Sequence, residues 1–502
     1  MRKPKCWLTA LFLGASTCAL FGQALQQLPT NFLEPGDLYG ASAAISGNGN
    51  YIVVGAPGHR NFEDPAFEQE GVAFVYVLSG SGWMLQDTLH HASDLADNDK
   101  MGAAVAANAD GSIMAVGSPG AGQDRGDVWL FRRSGSDWTM LQPLAHTGPP
   151  SSTTGASPND MFGSVVALDG SGLYLGVGSP LHHHFEGRAN VCLYGAAGWV
   201  SYASFDNPEP SMGDGFGAAI SFDQTASYLV IGAPGEDNGF GIPQNTTDFY
   251  GAVYFYKRSP FTPNSWTQVQ KIKPSNLQPQ SHFGASLDLS NDGDVLIVGA
   301  PGHDNDAGAA FIFTRTGDTW TEIDMIAAYN PAAEDDFGRS VALTGDGDIA
   351  MAGAPVRDTA SVSGAGAAFL FRYANPSAKW AQYKTLALPP GYEPEEAFSF
   401  SLSIASNLSR GVISSPYRDG IRGAAFVLTE SALPVTWLNF RASLEGNDVH
   451  LTWSTASESN NEGFDVQRSE NGRDWQTIAF VPGAGTTSEV QTYSYTDPSP
   501  FT

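Results

Sequence analysis

Cysteine is nearly absent: the chain has three in 502 residues, and two of them, Cys6 and Cys18, fall in the first 24. If that segment is removed, Cys192 has no partner, so no intramolecular disulfide supports the fold. Basic residues are scarce as well, 25 Lys and Arg against 52 Asp and Glu, for a net charge of −27. That balance excludes nucleic acid and anionic membranes as expected partners. Long apolar runs are missing beyond the N-terminal one, so no membrane insertion is expected. Catalytic signatures are missing too, with no G-x-S-x-G elbow, H-E-x-x-H pair, Walker loop or Rossmann fingerprint. No catalytic residue is therefore assigned.

The N-terminal run reads as a secretory signal over residues 1–24. Arg2, Lys3 and Lys5 precede an apolar stretch from Trp7 to Leu20, and Gly22-Gln-Ala24 suits cleavage. Cys18 follows Ala-Ser-Thr, which is not a lipid-attachment pattern.

What the chain has in abundance is a repeat. Seven times a Phe-Gly-like pair is followed 15 residues later by Gly-Ala-Pro or a variant. The first glycines are Gly40, Gly102, Gly163, Gly217, Gly284 and Gly338, with Ser399 in the seventh copy. Their partners are Gly55, Gly117, Gly178, Gly232, Gly299, Gly353 and Ser414. Each unit continues with a glycine leading an aromatic, β-branched run, as in Gly71-Val-Ala-Phe-Val-Tyr76, and six units close on a tryptophan strand, as in Trp320-Thr-Glu-Ile-Asp-Met-Ile326. Four short strands per unit follow from these alternations. Such sheets cannot bury both faces alone, and radial stacking gives a seven-bladed β-propeller over residues 25–430 in an all-β chain. The seventh copy lacks a tryptophan strand. Leu25-Gln-Gln-Leu28 can supply it, with Trp437 as a rival.

The units resemble the FG-GAP repeats of the integrin α-subunit propeller, most clearly in Phe216-Gly217 with Gly232-Ala-Pro234 and Phe283-Gly284 with Gly299-Ala-Pro301. The resemblance implies a calcium site between the first two strands. Here those connections, such as Asp169-Gly-Ser-Gly172 and Thr344-Gly-Asp-Gly347, are hairpin turns too short for it, so no calcium or other cofactor is expected.

Acidic residues stand three positions before the first glycine, at Asp37, Asp99, Asp160, Asp214, Asp335 and Glu396, with Ser281 in the fifth copy. A carboxylate ring is one reading; a turn in which the side-chain oxygen accepts backbone N–H bonds is the preferred one, because serine serves it equally well. Binding is expected in the variable loops between the second and third strands. The candidates there, taken as exposed, are Arg60, Glu63, Phe67, His182, His184, Phe185, Glu236, Asp237, Phe240, Tyr250, His303 and Asp304. His182-His-His184 offers alternate imidazoles, but only Glu186 joins them, so a metal is not expected. Arg125-Gly-Asp127 is explained by the repeat's own strand glycine.

After Glu430 a second region begins, with short strands at Val449–Trp453, Gly463–Arg468, Trp475–Phe480 and Tyr493–Tyr495 that suggest a β-sandwich. Leu433-Pro-Val, Leu451-Thr-Trp-Ser-Thr-Ala-Ser457 and Phe464-Asp-Val-Gln-Arg-Ser469 resemble a fibronectin type III-like module of bacterial surface proteins exported by the type IX system. Residues 433–502 are read as a partial copy, and the chain as a fragment of a longer protein. Taken together, these features lead us to expect a monomeric binding or adhesion protein, secreted or on the outer surface of a Gram-negative bacterium, whose partner is an extracellular protein or glycan. The rivals are an extracellular hydrolase at the propeller mouth and a structural envelope repeat.

Overall fold

The computed structural model describes Leu13–Gly14 and residues 25–60, 70–80, 82–90, 98–141, 144–145, 160–195, 198–237, 248–262, 265–358, 362–375, 378–388, 394–407, 409–429, 435–446, 448–468, 476–487 and 489–498. The described chain divides into two compact units, Leu25–Thr429 and Glu430–Thr502, the latter together with Met1–Ala24.

Each repeat is an antiparallel sheet whose strands run in chain order. Sheet one holds Ser42–Ile45, Tyr51–Ala56, Val72–Ser79 and Gly82–Leu89. Sheet two begins at Ala104–Ala107, sheet three at Val165–Leu168, sheet four at Ala219–Phe222, sheet five at Ser286–Leu289 and sheet six at Val341–Leu343. Sheet seven starts at Leu402–Ile404 and continues through Arg410–Ser415 and Ala424–Thr429. Its fourth strand comes from the other end of the unit. Gln26 and Gln27 pair with Val427 and Phe426, and the Leu28 N–H donates to Ala425 at 2.9 Å. The rival donor Trp437 lies instead in a strand of the second unit.

The first strands of successive sheets pack against one another in cyclic order, sheet seven returning to sheet one. Two rings of main-chain hydrogen bonds follow the same order. At the hairpin end the N–H of Asn48 donates to Ala109, Ala109 to Gly170, Gly170 to Gln224, Gln224 to Asn291, Asn291 to Gly345, Gly345 to Ser406, and Ser406 back to Gly47, all between 2.8 and 3.1 Å. At the other end the residue before each first glycine donates to the residue before the third-strand glycine of the preceding sheet. Tyr39 thus bonds Arg422 at 2.9 Å, and Phe283 bonds Tyr250 at 3.0 Å.

These rings explain the glycines. The N–H of Gly40 donates to Gly55 at 2.9 Å, and the same bond recurs in the other copies, which fixes the separation of 15 as an antiparallel pairing register. The second glycine then meets the neighbouring sheet. A Cβ on Gly117 would lie 2.0 Å from the Gly163 oxygen, and one on Gly126 would lie 1.9 Å from that of Phe162. Gly126 is therefore held by packing, and the Arg125-Gly-Asp127 triplet is part of this inter-sheet contact.

Aromatic side chains fill the spaces between sheets. Phe283 packs edge-on against Phe311 at 5.3 Å, and Trp320 stacks on Phe255 of the preceding sheet at 4.3 Å. The exposed edges of the first strands are served by side chains from the sheet before. Ser401 and Ser403 accept the N–H groups of Ala43 and Ile45, and Asp288 accepts that of Leu343 at 2.8 Å. Asp288 retains some accessible surface but is enclosed by the inner strands, and that burial pushes its carboxyl up to about 6. Burial likewise pushes the Cys192 thiol up to about 12, as expected of an inert core residue.

In the second unit Val435–Glu445, Asp448–Arg468, Gln476–Thr487 and Gln491–Asp497 pair into one sheet. The two short strands expected at 449–453 and 463–468 are segments of one continuous strand of 21 residues. Its first half pairs on both sides, with 435–445 and 491–497, and its second half pairs with 476–487. Leu451, Trp453, Phe464 and Val466 are fully buried, and Trp453 stacks on Tyr493 at 5.7 Å. Of the proposed signal only Leu13 and Gly14 are described, paired with Val466 and Asp465.

Candidate functional site

The two ends of the seven-sheet unit are chemically different. At the hairpin end the first loop residue turns its oxygen back onto the loop's own N–H groups. Asn108 Oδ1 accepts from Ser112 and Ile113 at 2.9 and 3.0 Å, Asp169 Oδ1 from Leu173 and Tyr174 at 2.8 Å, and Asp223 Oδ1 from Tyr228 at 2.7 Å. Ser46, Ser290 and Thr344 do the same. The side-chain oxygens that open these turns are therefore directed to backbone donors.

The opposite end carries the unusual backbone. The residue two before each first glycine is left-handed in all seven copies: Leu38, Lys100, Met161, Gly215, His282, Asp336 and Ala397, with φ from 51 to 63°. Four connections between the second and third strands add further left-handed residues, among them His183-His-Phe185 and Asp304-Asn-Asp306. Non-glycine residues rarely hold this conformation, at a cost of roughly 1 kcal/mol each, so the loops at this end store strain that the rings beneath them sustain.

A polar pair recurs at this end as well. The acid three before the first glycine faces the residue 22 positions later. His59 Nδ1 lies 2.9 Å from Asp37, His182 Nδ1 2.9 Å from Asp160, and His303 Nδ1 3.2 Å from Ser281 Oγ. Arg357 lies 2.5 Å from Asp335, and Arg418 lies 3.6 Å from Glu396. The same oxygens close the entering turn: Asp37, Asp214, Ser281 and Asp335 accept the N–H of Glu34, Ser211, Gln278 and Ala332 at 2.7 to 2.9 Å. The acids thus serve turns, serine included, and most have a basic partner.

Repeat four breaks the pattern, placing Glu236 opposite Asp214. Both are buried, at 4% and 1% exposure. Glu236 accepts from Tyr254 Oη at 2.5 Å and from Lys271, which also holds Glu209 at 2.8 Å. Asp214 accepts from Asn207 Nδ2 at 2.7 Å. Burial, reinforced by the negative charge of Glu236 and Asp237, pushes the Asp214 carboxyl up to about 7, against the opposing Ser211 and Asn207 hydrogen bonds.

The expected site residues separate under this geometry. Arg60, His184, Asp237 and Asp304 are exposed, as is Phe185 at 53%. Tyr250 is half-buried beneath the Lys273 ammonium, 5.4 Å from the ring centroid. His182, Glu236 and His303 are buried, which corrects their assignment as exposed binding residues: each occupies the position that faces the turn acid. Glu63, Phe67 and Phe240 lie outside the described residues. In the histidine run, His182 turns to Asp160 and His183 to Glu186 at 2.8 Å, so the imidazoles serve different carboxylates. No cluster of three or more metal-ligating side chains occurs among the described residues. The polar pair was missed although it is legible, since the residue four after each Gly-Ala-Pro glycine reads His, Ala, His, Glu, His, Arg, Arg.

Comparison with known proteins agrees with this architecture. The FG-GAP repeat model matches residues 266–313 and 320–371. The chain carries FG-GAP repeats. Among solved structures, hydrazine synthase from Kuenenia stuttgartiensis is similar at a TM-score of 0.50 and 10% identity, covering 80% of this chain and 97% of that one. A candidate 6-phosphogluconolactonase from Bacteroides uniformis is similar at 0.42 and 11% identity, covering 84% and 95%. The likeness to the synthase and the family match concern the fold, which is all-β and β-propeller-like. No curated protein matches the chain.

Proposed function

We propose that the seven sheets are the blades of a seven-bladed propeller and that the protein is exported and binds an extracellular protein or glycan through its loop-bearing end. The observation that carries this reading is the contrast between ends. One is tied off by hairpins that use their own polar atoms, while the other displays exposed Arg60, His184, Phe185, Asp237 and Asp304 on loops of unequal length. Exposed polar and aromatic groups on a rigid scaffold are the usual means of recognition. FG-GAP repeats are typical of extracellular proteins, and no described helix is long and apolar enough to cross a membrane. The leader, display on a Gram-negative surface and a fibronectin-like second unit belong to the same proposal. It is tested by screening the chain without residues 1–24 on glycan and extracellular-matrix arrays, with Arg60→Ala, Phe185→Ala and Asp304→Ala. A hit lost in these variants and kept in Asp110→Ala at the hairpin end supports it. A hit lost only at the hairpin end, or turnover of an arrayed glycan, overturns it.

A further inference from the structure

The repeats act as one another's controls, and the fourth stands out. Where four other copies set an acid against a histidine or arginine, it sets Asp214 against Glu236 at the joint between the entering turn and the exit of the second strand. The same residues tie that joint together through their main chains: Gly235 N–H donates to Asp214 and Gly251 N–H to Glu236, both at 2.9 Å. We propose that the Asp214–Glu236 joint is a pH-sensitive latch, closed while the pair retains a proton and loosened when that proton is lost.

Every charged group around the pair bears on this. Glu236 and Asp237 face it from the second-strand exit, Glu209 from the incoming segment, Tyr254 from the third strand, Lys271 from the fourth and Lys273 from just beyond its end. Lys271 is shared between Glu209 and Glu236, and its charged form is favoured by both despite burial. Burial lowers the Lys273 amine, and its contact is to the Asp237 carbonyl. Tyr254 stays un-ionised, its phenol raised by burial and by Glu236. Losing the proton therefore leaves four carboxylates facing two lysines, one of them weakened.

The sign follows from the raised Asp214 carboxyl. Its contribution is full below the ordinary carboxylate range and is lost as pH rises from there to the folded value near 7, with closure weakening about tenfold per pH unit across that window and levelling off above it. Asp335 provides the contrast, since the guanidinium of Arg357 faces it in the same position and keeps its charge at every pH considered.

The test is amide hydrogen exchange of the intact chain at pH 6 and pH 8, corrected for the intrinsic rate. The amides of Ser211, Gly235 and Gly251 should lose about tenfold in protection at pH 8, while Ala332 and Gly366, at the Asp335–Arg357 joint, should not change. Asp214→Asn should abolish the difference, and Glu236→Gln should move its midpoint to lower pH. Equal protection at both pH values, or an undiminished loss in Asp214→Asn, would overturn the latch. If Asp214→Asn does not fold, an unmoved midpoint in Glu236→Gln does so. The latch stands independently of what the loop end binds.

Discussion

The hairpin end and the loop end of the seven-sheet unit are built on the same device, a ring of inter-sheet main-chain bonds, and differ in what lies beyond it. At the hairpin end the chain turns back within four or five residues, and its side-chain oxygens are taken up by the turn. At the loop end the chain passes through left-handed residues and acid–base pairs before it reaches open loops. The repeat thus constrains one end completely and frees the other to vary. That division is what a scaffold for recognition requires, because the inter-sheet ring beneath the variable loops carries their strain.

The comparison breaks most severely at the shared glycines. Gly232→Val should unfold the unit or lower its stability by at least about 4 kcal/mol, because its Cβ would meet the Gly284 oxygen at 2.1 Å. Gly80→Ala, at a hairpin tip with φ +62° and no atom within 4 Å, should cost only about 1 kcal/mol. Chemical denaturation of both variants checks the contrast.

Asp288→Asn should stabilise the protein at pH 7 by up to about 3 kcal/mol, since a carboxyl raised from 3.8 to about 6 opposes folding once ionised. The penalty grows as pH rises between those values, so wild type and variant should converge below pH 4. Denaturation midpoints across that range decide it. At the hairpin end, Asp223→Ala should cost about 1–2 kcal/mol by orphaning the Tyr228 N–H. Smallest of all, Arg60→Ala and Asp304→Ala should shift stability by less than about 0.5 kcal/mol while changing whatever the loop end binds.

Much of the fold was legible because it rests on positions where only glycine fits. The 15-residue separation is a pairing register, and the need for glycine at Gly55 and Gly71 comes from the next sheet's backbone. The site was less legible, for two reasons. His182, Glu236 and His303 lie in loop sequence yet face inward, because their offset from the Gly-Ala-Pro glycine, not their membership of a loop, decides burial. The left-handed positions Leu38, Lys100, Met161 and Ala397 are residue types with no preference for positive φ, so local propensity conceals what the tertiary rings impose.

One consequence concerns time. Gln26 and Gln27 are made early, yet the strand that receives them, Ala424–Thr429, is the last of the unit to be synthesised. Throughout elongation the early segment must wait, with Leu28 and Leu33, fully or nearly buried at the end, still exposed to water. The circle is joined only when the newest residues meet the oldest, which makes its closure a late, slow and chaperone-accessible step.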